Sequence, residues 1–260
     1  MAAPQDILAQ RSGGVLRLTF NRPDAMNAYS PRMVEELEQA LAAGRDDPTL
    51  KVVVLAGQGR AYCCGADLKF LYETRRDLPR IGAFLRRLNA LLSSLRRLPQ
   101  IVVAEVNGLA LGGGLETILA CDLAVAAAGA VLSDQHINRD FMPGGGSSQR
   151  LPRLLGARRA LDLLLTGRRL DAAEALALGI LNRVVPDQAL RAEVDAMATA
   201  MAGHSAAVLA GMKRLVHQGL ETDLDSGIEL EMAAFMAHAA SADYVAGLES
   251  FLRPEPKKAG

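Results

Sequence analysis

The sequence predicts an α/β fold followed by a helical C-terminal part. Short runs rich in β-branched residues, which are typical of strands, are concentrated in the first half of the 260 residues. From Leu151 onward the apolar residues recur mainly at helical spacing. Half of the chain is apolar, which is enough for one sizeable core. We therefore expect one large domain of strands and helices with a helical appendage.

Three elements at the start of the chain have clear sequence signatures. Val15–Phe20 alternates apolar and polar residues, as a half-buried strand does. Ser30 followed by Pro31 is typical of a helix N-cap and first turn, and apolar residues at helical spacing continue to about Arg45. The β-branched run within 51–56 predicts the next strand. The chain thus begins with the strand, helix, strand order of an α/β domain.

A run of three glycines, Gly112–Gly114, is the feature on which the functional hypothesis depends. It follows a predicted buried strand at Ile101–Ala104 and precedes a predicted helix at Leu115–Cys121. We expect the backbone N–H groups of the three glycines to be unpaired at the positive end of that helix. Such an end can bind an anion, or a carbonyl oxygen that is about to become one. Glu116, about one turn into the helix, is placed to act as a base on the bound group.

A second glycine-bearing loop, Gly57–Lys69, also follows a predicted strand and leads towards a helical pattern. An oxyanion hole generally needs two converging N–H groups, and Ala66 together with Gly113 would supply them. The alternative interpretation is structural: the glycines let a helix pack closely on a strand, and Glu116 is an acidic residue in a first turn that favours one. The residues alone leave both interpretations open.

The remaining patterns complete the predicted order of elements. An amphipathic helix is predicted between Pro79 and Leu98. The segment 133–150 is polar and glycine-rich, so we expect a loop without regular structure there. The other predictions are short strands at 122–126, 131–132 and 182–185, and helices beginning near residues 187, 205, 224 and 241.

Composition and charge argue against several classes of protein. The chain carries 29 basic and 29 acidic residues and no tryptophan, which disfavours binding to nucleic acid or to an anionic membrane surface. Cys63, Cys64 and Cys121 have no metal-ligand spacing, so we expect reduced thiols and no metal. Dinucleotide-binding, P-loop and GxSxG signatures are absent. With no apolar run long enough for a membrane span and no visible signal peptide, we expect a soluble, cytoplasmic protein.

The two glycine loops and their surroundings resemble the crotonase family, the enoyl-CoA hydratase/isomerase superfamily, nearly from end to end. The matching motifs are Asn21-Arg22-Pro23 with Asn27-Ala28, Ala61–Lys69, Asn107–Glu116 with Cys121-Asp122, Pro143–Gly146, Gln149–Leu151, and Thr166-Gly167 with several positions up to Val185. The resemblance implies a crotonase-like ββα spiral, with residues 1–195 as the core and 196–260 as a C-terminal helical oligomerisation region. It also implies a homotrimer or a homohexamer made of two trimers.

The resemblance further implies an acyl-CoA thioester as ligand and no cofactor beyond the coenzyme A of the substrate. The thioester carbonyl would be held by the N–H groups of Ala66 and Gly113. The implied substrate-binding residues are Asp67, Leu68 and Lys69 at the CoA and acyl entrance, and Phe235 near the adenine. A family lysine near the C-terminal end is met here by Pro254, with Lys257 and Lys258 a few residues on.

The chain departs from the family at one catalytic position. Glu116 matches the first of two hydratase glutamates, which would position and deprotonate a water molecule. The second glutamate is replaced by His136, and no glutamate occurs between Glu116 and Glu174. A histidine with a pKa near 6.5 can exchange protons at neutral pH. Asp134 flanks it, and Asp140 stands where the family often has glycine.

The leading hypothesis is therefore an enzyme of fatty acid metabolism, an enoyl-CoA hydratase (a lyase) with Glu116 as base and His136 as proton donor. Double-bond isomerisation is the nearest alternative, because family isomerases need only one base. Decarboxylation or C–C hydrolysis of an acyl-CoA follows. The protein could also bind acyl-CoA without turning it over, with His136 making only a hydrogen bond within its loop.

Overall fold

Strands of two sheets form the centre of the computed structural model, which describes residues 5–253. The larger sheet has the order β1-β2-β3-β5-β7-β10 and the smaller sheet the order β4-β6-β8-β9. The strands are β1 (Ile7–Ser12), β2 (Val15–Phe20), β3 (Val52–Gly57), β4 (Ala61–Cys63), β5 (Ile101–Val106), β6 (Leu109–Leu111), β7 (Leu123–Ala127), β8 (Val131–Ser133), β9 (Leu170–Asp171) and β10 (Arg183–Val185).

Helices connect and cover these strands. They are α1 (Pro31–Arg45), α2 (Leu68–Glu73), α3 (Leu78–Leu95), α4 (Gly113–Ile118), α5 (Ser147–Leu155), α6 (Ala157–Thr166), α7 (Ala172–Ala177), α8 (Leu190–Ala202), α9 (Ala206–Gly219), α10 (Leu224–Ala239) and α11 (Ala242–Leu252). Within the described residues, none of them is both long and apolar enough to cross a membrane.

The two sheets are built by a repeated unit. Each of the pairs β3/β4, β5/β6 and β7/β8 places its first strand in the larger sheet and its second strand in the smaller sheet, parallel to the equivalent strands of the neighbouring pairs. Helices follow β4 and β6 directly. This is the predicted spiral of ββα turns, and it brings the loops after β4, β6 and β8 to one edge of the smaller sheet.

The larger sheet is covered on both faces, and successive residues of its strands are buried alternately on one face and the other. In β3, Val53 and Leu55 lie in the main core under α1 and α3, whereas Val52 and Val54 lie in a second cluster on the opposite face. The second cluster is completed by Leu190, Val194 and Ala198 of α8. Because both faces are covered, the parallel strands β3, β5 and β7 are apolar except for Glu105 of β5 and the final Gly57 of β3.

Helix α8 crosses the predicted boundary between residues 195 and 196. It packs on the sheet beside the buried ion pair between Arg17 and Glu105, and Arg17 also reaches Asp195 of α8 at 2.5 Å. The following helix, α9, is tied to the core by Lys213, whose Nζ donates to the carbonyl oxygens of Leu95 and Gln100 at 2.7 and 2.9 Å. The division into a core and an oligomerisation region stays a prediction.

Several short elements were not predicted. The strands β4, β6 and β9 have only two or three residues, which is too short for a visible alternation, and they are held by pairing with their neighbours. The segment 133–150 was predicted as an irregular loop. That prediction was wrong from Ser147 onward, where the loop gives way to α5. Gly146 precedes this helix with a φ of 106°, a conformation that favours glycine.

Gly114→Ala should lower the free energy of unfolding by about 1–3 kcal/mol, as overpacking usually does. The new Cβ would lie 1.9 Å from the carbonyl oxygen of Cys63, and neither backbone can move without disturbing β4. Denaturant unfolding followed by circular dichroism measures the change. Gly211→Ala in α9 is the control, because nothing in residues 5–253 lies within 4 Å of its Cβ position. Equal stabilities of the two variants would contradict the close packing of α4 on β4.

Candidate active site

The glycine turn at the start of α4 is closely packed against neighbouring segments. Gly112 has φ 53° and ψ −115°, a conformation that L side chains rarely adopt. Gly114 presses on the carbonyl of Cys63, as the structural interpretation expects. Gly113 presses on the other predicted loop, because a Cβ on Gly113 would lie 3.0 Å from Cα of Gly65. The structure therefore brings the two predicted loops into direct contact.

The backbone N–H groups at this contact have different partners. The N–H of Gly112 donates to the carbonyl oxygen of Ser133 at 2.9 Å, so its predicted unpaired state was wrong: β6 extends its pairing with β8 to this residue. The N–H groups of Ala66 and Gly113 have no acceptor within residues 5–253. These are the two groups that the sequence predicts as an oxyanion hole.

Glu116 lies on α4 one turn beyond this contact and is only 2% exposed. Its Oε1 accepts from the backbone N–H of Gly145 at 2.8 Å and of Ser147 at 3.0 Å. Ser147 begins α5, so the carboxylate also lies at the positive end of a helix. Its Oε2 has no donor among the described residues, and it is the oxygen left to take a proton from a ligand.

A half-buried cation, Arg150, lies near Glu116. Arg150 of α5 donates from Nη1 to the carbonyl oxygen of Gly145 at 2.6 Å, which fixes the loop that holds the carboxylate. Burial lowers the pKa of Arg150, and the charge of Glu116 opposes that change. The two opposite charges are therefore close enough to influence each other, although they form no ion pair within the described residues.

His136 follows β8 and forms a dyad with Asp134. Its Nδ1 lies 2.8 Å from Oδ1 of Asp134, which is only 1% exposed. Burial lowers the pKa of His136. The hydrogen bond and charge of Asp134, together with the charge of Glu116, raise this pKa by more than burial lowers it, so the net shift is upward. With Nδ1–H held by the carboxylate, Nε2 is the nitrogen available to a ligand.

A strained residue turns this dyad towards the glycine turn. Gln135, between the two side chains, has a φ of 61°, in the left-handed region that non-glycine residues seldom occupy. Its side chain is tied to Ser133 at 2.8 Å and to the carbonyl oxygen of Gly167 at 3.1 Å. As a result Nε2 of His136 lies 3.8 Å from the position of a Cβ on Gly112, next to the predicted oxyanion hole.

Asp140, in contrast, is exposed and ends the short 3₁₀ turn at 137–139 with a φ of 53°. That conformation gives a physical reason for a glycine at this position in related sequences. The structure thus places Asp134, not Asp140, against His136.

The predicted substrate-binding residues are distributed over two regions. Asp67 caps α2 and pairs with Arg22 at 2.8 Å, so its carboxylate already has structural partners. Leu68 and Lys69, at the start of α2, are exposed next to Ala66. Phe235 is half exposed on α10, whose main contacts are with α9 and α11, and its ring lies 5.9 Å from that of Tyr244. Lys257 and Lys258 lie outside the described residues.

Several residues of the site were not predicted as functional. Gly145 and Ser147 act through backbone N–H groups, which leave no side-chain signature, although the glycine motif at 143–146 was recognised. Tyr29 and Thr117 are buried and bonded to each other at 2.7 Å beneath Gly113. Their sequence signal is weak, because an isolated tyrosine or threonine predicts nothing beyond a position in the core.

The thiols have no part in this constellation. Cys63, Cys64 and Cys121 are free cysteines, and burial raises the pKa of each thiol. No group of three or more His, Cys, Asp or Glu side chains in the part of the chain that the structure covers is placed to hold a metal ion.

A ββα spiral with glycine-rich loops and a buried glutamate at one sheet edge defines the class of crotonase-type proteins. Comparison with known proteins agrees with this class, because residues 10–258 match the model of the enoyl-CoA hydratase/isomerase family. The chain belongs to the enoyl-CoA hydratase/isomerase family, and its relatives include proteins named as enoyl-CoA hydratases, which are enzymes.

Three relatives illustrate the extent of the similarity. A crystal structure of enoyl-CoA hydratase from Bacillus anthracis has a TM-score of 0.92 and 33% identity, covering 95% of this chain and 96% of that one. Crotonyl-CoA hydratase of Syntrophomonas wolfei is 32% identical over 99% of this chain and 98% of its own length. Enoyl-CoA hydratase domain-containing protein 2, mitochondrial, of Mus musculus is 37% identical over 92% and 81%. With a relative named as mitochondrial, the cytoplasmic location stays a prediction.

Replacing Asp134 by asparagine should lower the pKa of His136, because the anionic partner that favours the imidazolium is removed. Titration of the histidine Cε1–H signals by proton NMR measures this shift, with His136→Asn assigning the resonance. Asp140→Asn is the matched control, since it removes the same charge from the same loop without touching the ring. An unchanged His136 titration in Asp134→Asn would refute the dyad.

Proposed function

We propose that this protein is an enoyl-CoA hydratase that adds water across the double bond of a 2-enoyl-CoA. Membership of the family supports an acyl-CoA thioester as substrate. The observation that carries the proposal is the position of the buried Glu116 carboxylate, one helical turn from the contact between Gly113 and Gly65. The reaction needs no cofactor beyond the coenzyme A of the substrate.

The first step of the proposed reaction is polarisation of the thioester carbonyl. The N–H groups of Ala66 and Gly113 donate to its oxygen, which gains negative charge when water attacks C3 and an enolate forms. The β-carbon is a poor electrophile without this stabilisation, and one such donor is worth about 2.7–4 kcal/mol in the transition state. The absence of an acceptor for either N–H within residues 5–253 supports this role.

Glu116 serves as the base. Its Oε1 is held by Gly145 and Ser147, so its Oε2 is fixed in position to accept a proton from the attacking water. The carboxylate lies at the positive end of α5, whose first N–H group is one of its two donors. A base that is held by backbone groups has little freedom to move, which is the condition for efficient proton transfer.

His136 supplies the proton that C2 of the enolate requires. The imidazolium form carries a proton on Nε2, while Asp134 accepts the Nδ1 proton and holds the ring. The raised pKa of His136 increases the share of this form at neutral pH. A histidine thus takes the part that the second glutamate plays in other family hydratases.

The exposed apolar side chains of the last three helices support self-association, as the resemblance implies. Met212, Val216, Leu220, Ile228, Met232 and Met236 are each about half exposed or more. Large apolar side chains that are exposed together on a surface often mark a protein–protein contact. A homotrimer, or a homohexamer of two trimers, is therefore part of the proposal.

Glu116→Gln should reduce the hydration of crotonyl-CoA by about 10²–10⁴-fold, because the general base is lost while the shape is kept. Mass spectrometry of the product formed in ¹⁸O-labelled water, together with the loss of enoyl absorbance, measures the reaction. Arg139→Gln is a control: the Arg139 side chain is exposed and forms no hydrogen bond or ion pair within residues 5–253, and its backbone N–H can still donate to the carbonyl oxygen of His136.

The outcomes separate the alternatives. Incorporation of labelled oxygen that disappears in Glu116→Gln establishes a hydratase. Product without labelled oxygen from 3-enoyl thioesters would make the protein an isomerase, and carbon dioxide or C–C cleavage from malonyl-type or β-keto thioesters would indicate a decarboxylase or hydrolase. Binding of acyl-CoA without any product would indicate an acyl-CoA binding protein and would refute the enzyme proposal.

The pH dependence tests His136. In the wild type, kcat/KM should fall as pH rises through the pKa of His136, since the proton donor is then lost, and this limb should lie above the ordinary value of about 6.5. His136→Gln should lack the limb and be slower by about 10²-fold. If the variant keeps both the wild-type rate and the wild-type profile, His136 is only a structural residue of its loop.

A further inference from the structure

Tyr29 contacts both halves of the proposed oxyanion hole. Its backbone pairs with the loop after β4: the N–H of Tyr29 donates to the carbonyl oxygen of Gly65 at 2.8 Å, and its carbonyl oxygen accepts from the N–H of Asp67 at 3.0 Å. These bonds fix the residues on either side of Ala66. The direction of the Ala66 N–H is therefore set by the backbone of Tyr29.

The side chain of Tyr29 reaches the other half. Its ring is 1% exposed, and Cδ2 lies 3.6 Å from the position of a Cβ on Gly113. The hydroxyl lies 2.7 Å from Oγ1 of Thr117, which donates to the carbonyl oxygen of Gly113 at 2.7 Å. Because Thr117 has one hydroxyl proton and gives it to Gly113, Tyr29 must be the donor to Thr117. A directed chain of two hydrogen bonds therefore runs from Tyr29 to Gly113.

A second buried tyrosine shows that such a chain is not simply what burial demands. Tyr62 is 0% exposed and packs on the same phenylalanine as Tyr29, with ring centroids 5.3 and 5.8 Å from Phe20. Its hydroxyl has no hydrogen-bond partner in residues 5–253. The two tyrosines therefore differ: within the described residues the hydroxyl of Tyr62 has no partner, whereas the hydroxyl of Tyr29 beside α4 is hydrogen-bonded.

We propose that Tyr29 is a positioning residue that holds the N–H groups of Ala66 and Gly113 at the separation needed for one carbonyl oxygen. The proposal rests on the oxyanion hole of the proposed function. A hole of two N–H groups works only when both are held within about 0.5 Å of the productive geometry. Backbone pairing alone fixes Ala66, and the hydroxyl chain adds the link to Gly113.

Tyr29→Phe should reduce kcat for crotonyl-CoA by about fivefold to tenfold, the loss expected for one buried hydrogen bond, with KM little changed. Tyr62→Phe is the matched control and should keep the wild-type kcat. Thr117→Val should lower kcat to a similar extent, and the double variant Tyr29→Phe/Thr117→Val should lose little more, because the two hydroxyls act in one chain. Thermal unfolding of each variant checks that the fold is kept.

A spectroscopic measurement tests the hole without turnover. A cinnamoyl-CoA with an electron-donating para substituent absorbs at longer wavelength when its carbonyl oxygen receives strong hydrogen bonds. The wild type and Tyr62→Phe should give the full red shift, whereas Tyr29→Phe should give a smaller one at saturating protein.

The two measurements distinguish this inference from the reaction itself. A red shift in the wild type that is smaller in Tyr29→Phe supports the positioning role even if no hydration occurs, in which case only the hydratase proposal fails. An equal shift and equal kcat in Tyr29→Phe overturn the positioning role, as does an equal loss in Tyr62→Phe. A wild type without any shift overturns it too, because there is then no hole to position.

Discussion

The contact between Gly65 and Gly113 is the constraint on which the rest of the site depends. A Cβ on Gly113 would lie 3.0 Å from Cα of Gly65, so a side chain at this position would push the two loops apart. The contact arises because β4 and β6 are parallel neighbours, and the loops that follow them leave the sheet at the same edge. In the proposed oxyanion hole, this approach is what would let the N–H groups of Ala66 and Gly113 bind a single oxygen.

The acid and base groups come from further loops at the same edge. Strand β8 continues the smaller sheet next to β6, and His136 with Asp134 follows it directly. Glu116 belongs to the helix after β6, yet its carboxylate is fixed by the start of α5. The site therefore joins three consecutive turns of the spiral, while the larger sheet and its covering helices provide the rigid support. Binding sites of parallel sheets commonly form beyond the carboxyl ends of their strands.

Two parts of the site decide different properties of the reaction. An oxyanion hole stabilises the enolate oxygen that hydration, isomerisation and decarboxylation all require, so it selects a class of substrate and not a single reaction. The groups that move protons select among these reactions. In the proposed reaction Glu116 and the His136–Asp134 dyad take that place, one as an anionic base and the other as a cationic proton donor. In the proposed reaction the protonation of His136 gives the dependence on pH.

The sequence by itself determined most of the longer strands and helices and pointed to the residues that the structure brings together. Val15–Phe20 was predicted to the residue, and so was the start of the helix at Pro31 with its end near Arg45, because alternation, capping and proline position are local signals. Only the tertiary structure decided which N–H groups are unpaired, since the pairing of Gly112 with Ser133 is a contact between distant segments. The tertiary structure also decided the hydrogen bond between His136 and Asp134, the backbone hydrogen bonds to Glu116 and the hydrogen bond between Tyr29 and Thr117. These depend on distances across strands that sequence patterns do not contain.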